Sequence, residues 1–163
     1  MNSATLSATR PDVQGLVQAV ALNQTIDGLG LVLSTPNWEL LGSYLVPCNL
    51  AQGQVLIEQG GGDRSLYFVE SGSLSVHFED SQGRIRLAIV GPGSAVGEGA
   101  FFSRLPRGAT VQAASPSRLW CLAPTRFGEL RNRHPELALE VVMALGSLVS
   151  RRLVNKPKRV AVT

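Results

Sequence analysis

The chain has 163 residues, enough for one domain with a short extra segment. Hydrophobic residues make up 44% and charged residues 17%, which excludes a disordered chain, since disorder needs less apolar content and more charge. The formal net charge is only +3, and two cysteines, Cys48 and Cys121, are too few for a disulfide-rich scaffold or a four-cysteine iron–sulfur centre.

The first twelve residues, MNSATLSATRPD, lack a charged segment followed by an apolar core, so no signal peptide is expected. The most apolar stretch, Gly15 to Leu33, is broken by Gln18, Asn23, Gln24 and Asp27 and is too polar to span a bilayer. The expectation is a soluble, cytoplasmic protein with no membrane segment. Residues 1–10 are small and polar, a loose terminus. From Pro11, the residues Val13, Leu16, Val17, Val20 and Leu22 form a helical apolar stripe that Gly28 and Gly30 stop. Residues 1–33 therefore read as a tail and a helical arm.

A second helix starts at Ser34-Thr35-Pro36, a hydroxyl cap with a proline just inside, and runs until Pro47 ends it. Its Trp38 is a core aromatic. Short strands with turn punctuation follow. They are Gln54–Gln59, Ser65–Ser71, the alternating Leu74, Val76 and Phe78, and then Ile85, Leu87 and Ile89. Gly91-Pro92-Gly93 breaks the series. After an irregular stretch, Ala109–Ala113 and Arg118–Leu122 complete it. The period then changes to helical. Pro124 opens a helix through Arg131, and His134-Pro135 restarts a longer one with a stripe of Leu137, Val141, Val142, Leu145, Leu148 and Val149. That stripe can lie back on the strands or pair with a second copy. Arg151, Arg152, Lys156, Lys158 and Arg159 read as solvated charges at a helix end.

The expected fold is mainly β with flanking α-helices: an antiparallel, jelly-roll-like β-roll with an N-terminal helix and a C-terminal two-helix lid. Residues 34–163 form the domain, with the roll at about 46–123, the lid at about 124–153 and a basic tail at 154–163.

One stretch carries chemistry: Gly97-Glu98-Gly99-Ala100, then Arg107-Gly108-Ala109-Thr110-Val111. Small residues let backbone amides approach an anion. An arginine presents a fork that matches phosphate oxygens. An ionised carboxylate only accepts hydrogen bonds, so it suits a sugar hydroxyl. The set fits a ligand with both a phosphate and a ribose hydroxyl. It resembles the phosphate-binding cassette of the cyclic nucleotide-binding domain family, whose pattern is Gly-Glu-x-small, a short helix, then Arg-x-Ala-x-apolar. Val55–Gly60 and Leu66–Gly72 also resemble that family's early strands, and the resemblance runs from about residue 36 to about 152.

The resemblance implies that Arg107 grips a cyclic phosphate and Glu98 a ribose 2′-hydroxyl. The amides of Gly99, Ala100, Gly108 and Ala109 complete the cradle, with Gly97 and Thr110 in the same set. Gly61, Asp63, Phe101 and Gly108 depart from the pattern. Gly108 lacks the hydroxyl that helps cyclic-GMP-preferring relatives hold guanine, so cyclic AMP is expected over cyclic GMP. Arg151 or Arg152 is a candidate purine cap.

No metal is expected, because His77 and His134 form no ligand pair. No enzyme is expected either, as no GxSxG elbow occurs. Residues 153–163 are too few for a DNA-reading module, so no specific DNA binding is expected. The chain is expected to be a sensor that passes its signal to a protein partner, or to a second copy, through the N-terminal or last helix. The alternative is an interaction module of the same fold that has lost nucleotide binding or takes a cyclic dinucleotide.

Overall fold

A computed structural model describes residues 10–155. The readings of residues 1–9 and of Lys156, Lys158 and Arg159 lie outside them. The element order is α1 (Gln14–Leu22), α2 (Thr35–Gly42), β1 (Val46–Leu50), β2 (Val55–Ile57), β3 (Leu66–Ser71), β4 (Leu74–Asp80), β5 (Gly83–Val90), β6 (Ala95–Val96), α3 (Glu98–Ser103), β7 (Thr110–Ala113), β8 (Ser117–Leu122), α4 (Pro124–Arg133) and α5 (Pro135–Val154).

The strands build two four-stranded antiparallel sheets, ordered β1-β8-β3-β6 and β2-β7-β4-β5. Period-two alternation sets the layers. Leu66 and Phe68 pair with Leu122 and Trp120 across β3 and β8, and all four face the helices. Val69 and Leu119, paired on the other face, meet Leu74, Val76 and Val111 of the second sheet. The first sheet thus has a core on each side: one against the second sheet, one against helices. Leu16 and Val20 of α1, Trp38 and Leu41 of α2, and Val141, Leu145 and Leu148 of α5 fill the helical side. Ser34 caps α2 as its sequence implies, accepting from the Asn37 amide at 3.3 Å.

Three local expectations are corrected. α1 ends at Asn23, whose amide donates to Ala19 O at 3.2 Å, well before Gly28. Pro47 lies inside β1, an edge strand, where a missing N–H is tolerated. The stretch after Gly93 holds a two-residue strand, β6, too short to leave a periodic signal. Ile85 and Ile89 of the edge strand β5 stay 56% and 48% exposed. A bulge between Val76 and His77 shifts the register there, so simple alternation does not carry both into the core. Among the described residues, no helix is long and apolar enough to cross a membrane.

Candidate functional site

The site gathers at α3. Gly97 precedes that helix in a left-handed conformation, φ 89°, and Arg104 ends it with φ 62°. This geometry turns the chain sharply on either side of Glu98–Ser103. Arg107 then runs back beneath the turn. The residue is 3% exposed. Nη1 donates to Gly97 O at 2.9 Å, and Nη2 donates to Ser65 O at 2.6 Å and to Asp63 Oδ2 at 3.0 Å. Its Nε is buried without a hydrogen-bond partner. Burial works to raise the Asp63 carboxyl, but hydrogen bonds from Arg107 and Ser65 outweigh it and hold that carboxyl below its ordinary value. The pair is therefore intact above the usual carboxylate range of about 4 and is lost only as pH falls through the lower folded value.

Glu98 is fully buried, at 0% exposure. Arg152, from the last turn of α5, donates to its carboxylate through Nη1. The same guanidinium donates from Nε to Asp27 Oδ1 at 2.8 Å, and from Nη2 to Ser94 Oγ at 3.0 Å and Ala95 O at 2.8 Å. Burial opposes the charge of Arg152, but Glu98 and Asp27 more than offset it and push the guanidinium above its ordinary value. Arg152 is thus no solvated helix-end charge. Arg151 is also engaged, donating to Ile26 O at 2.7 Å and Gly28 O at 2.9 Å. Together the two arginines tie the end of α5 to the loop after α1.

Beside these anchors lies a cavity of about 350 Å3, within the size range of small-molecule sites. Glu98, Gly99, Ala100 and Gly108 line it, as does Val149 of α5. A Cβ at Gly108 would meet nothing within 4 Å, so that backbone is open to approach. Of the remaining expected residues, Ala109 is buried in the core between the sheets, and Thr110 Oγ1 accepts from the Gln59 amide at 3.1 Å. Gly97 supplies the carbonyl under Arg107. The partners Asp63, Ser65, Asp27 and Ser94 are absent from the expected set. Asp63 stands out in the sequence only as a departure from the family pattern. Among the described residues, no group of three or more His, Cys, Asp or Glu side chains is placed to hold a metal ion.

Gly97→Ala is expected to lower stability by about 1–3 kcal/mol. The added Cβ would lie 2.6 Å from Ser65 O and 2.9 Å from Arg107 Nη1, at a φ that disfavours any side chain. Thermal unfolding checks this, and an unchanged Tm would show that Gly97 does not position Arg107.

Residues 47–134 match the model of the family described as the cyclic nucleotide-binding domain. Over 102 residues the chain is 38% identical to Glutaminase 2 of Bradyrhizobium diazoefficiens, which covers 63% of this chain and 16% of that protein. Over 107 residues it is 35% identical to the cAMP-dependent protein kinase regulatory subunit of Blastocladiella emersonii, covering 61% of this chain and 27% of that one. The chain therefore spans about a quarter or less of the length of these two relatives. A solved cyclic nucleotide-binding domain from Methylobacillus flagellatus superposes with a TM-score of 0.79 over 90% of this chain and 81% of that one, at 21% identity, and so speaks to the fold alone. The regulatory domain of Toxoplasma gondii PKA, solved with cAMP, superposes with a TM-score of 0.61 at 28% identity, covering 73% of this chain and 45% of that one. With more than half of its residues inside the family match, two packed antiparallel sheets and a Gly-Glu…Arg cassette at their edge, the chain belongs to the cyclic nucleotide-binding domain family.

Proposed function

We propose that the chain is a regulatory cyclic-nucleotide sensor that prefers cyclic AMP to cyclic GMP and catalyses no reaction. The observation that carries this reading is Arg107. It is a buried guanidinium held by three oxygens, and its Nε has no partner. An unsatisfied buried donor on a cation is costly, and an anion at the cassette would satisfy it. The amides of Gly99, Ala100, Gly108 and Ala109 would help hold the phosphate. Glu98 would take the ribose hydroxyl, since a carboxylate offers about four lone-pair directions and can serve a hydroxyl beside Arg152. Gly108 presents no hydroxyl for guanine, which favours adenine.

The α4–α5 pair is the proposed lid. Arg152 is bonded to Glu98 and to Asp27 of the N-terminal arm, so a ligand that engages Glu98 acts on a residue already linked to α5. A purine cap from Arg151 or Arg152 requires their present contacts to open, and belongs to this movement. The signal then leaves through a helical face, to a protein partner or to a second copy. On α5, Leu139, Met143 and Leu153 are 60%, 65% and 56% exposed and available for it.

Hydrogen exchange with and without saturating cyclic AMP tests the reading. Slower exchange across residues 97–110 and altered exchange across 125–152 are expected. Unchanged exchange in the first segment would overturn the binding site, and unchanged exchange in the second alone would overturn the lid.

A further inference from the structure

A second cavity, of about 390 Å3, lies between the cassette helix and α4. It shares Phe102 with the cradle but is otherwise lined by different residues. Three arginines border it: Arg64 after the β2–β3 turn, Arg104 at the end of α3 and Arg131 in the last turn of α4. Among the described residues, no carboxylate lines it. Among the described residues, none of these three guanidiniums makes an ion pair or a side-chain hydrogen bond. Of the other described arginines, Arg84, Arg107, Arg118, Arg126, Arg151 and Arg152 are partnered, while Arg10, Arg86 and Arg133 are not, so what marks these three is that they border one cavity. Like charges around one concavity without a counter-charge raise its potential and attract an anion.

The other wall is aromatic. Phe101 packs edge-on to Phe102 and to Phe127, with ring centroids 5.4 and 5.2 Å apart. Phe102 is 43% exposed. Guanidinium forks match phosphate oxygens, and phenylalanine faces and edges receive a second ring. Arg104 also holds a left-handed backbone that glycine would adopt without cost.

We propose that this cavity is a second binding site, distinct from the cassette, for a small organic phosphate that carries an aromatic ring. The site stands on its own residues and does not depend on cyclic-nucleotide binding.

The test is a titration of the isotope-labelled full chain with phenyl phosphate, followed by backbone amide shifts. Saturable shifts at Arg64, Thr125 and Gly128 are expected. Arg104→Gly, which relieves the backbone, and Arg131→Gln, at an exposed position, are each expected to weaken that binding at least five-fold while the chain stays folded. Shifts confined to Gly99 and Gly108 would overturn the proposal, as would unchanged affinity in both variants. Equal affinity for inorganic phosphate would overturn the assignment of an aromatic ligand.

Discussion

Arg107→Ala is expected to weaken cyclic AMP binding by about two orders of magnitude. Hydrogen bonds to a charged group contribute roughly 1.5–3 kcal/mol, and 1.4 kcal/mol is a factor of ten. The variant removes the Nε donor and the charge that faces the cassette. It also releases Gly97 O and Ser65 O, which the guanidinium holds at 2.9 and 2.6 Å, so the turn before α3 loses its brace. Arg107→Lys keeps the charge but not the fork, and should recover only part of the loss. The exposed Arg133→Ala serves as the control for net charge and should change affinity less than about two-fold. An Arg107→Ala protein that is folded by circular dichroism and binds as tightly as the wild type would place the phosphate elsewhere.

Arg152→Met is expected to lower stability by about 3 kcal/mol, the scale for breaking a buried ion pair by removing one partner. For a chain of this length that is a fall in Tm of roughly 6–12 °C. The side chain is 1% exposed and reaches Glu98, Asp27, Ser94 and Ala95. Methionine fills part of the volume but leaves those oxygens without the guanidinium. Because the residue joins α5 to both the cassette and the N-terminal arm, hydrogen exchange should also speed up across residues 145–154. A Tm within about 2 °C of the wild type would show that this network does not hold the helix in place.

These two arginines show how far the chain's own order discloses its chemistry. Arg107 lies in a local pattern: it follows Gly97 by 10 positions, and small residues surround both, so the cassette is readable as a unit. Its braces are not local. Asp63 and Ser65 sit 44 and 42 positions away and reach it only because β3 pairs with β6, the strand that leads into Gly97. Arg152 is disguised by its neighbours. Beside Arg151 and the lysines it reads as part of a solvated basic end. Yet it continues the buried stripe of α5 at helical spacing: Val141, Leu145 and Leu148, then Arg152 one turn on. As a member of that stripe, a charge demands a buried partner, and Glu98 supplies it.

The sheets divide in the same way. β3, β4 and β8 carry clear apolar residues between turn signals, and each lies where those signals place it. β1 and β5 are edge strands, where Pro47 and half-exposed isoleucines are tolerated and pattern weakens. The two-residue β6 is defined by pairing with Tyr67 and Phe68 rather than by its own sequence.

The most direct test of the central claim is a calorimetric titration of the purified chain with cyclic AMP, with cyclic GMP alongside. One saturable site per chain, tighter for cyclic AMP and lost in Arg107→Ala, is the predicted result. No heat of binding with either nucleotide, from a folded chain at concentrations up to the millimolar range, would contradict it.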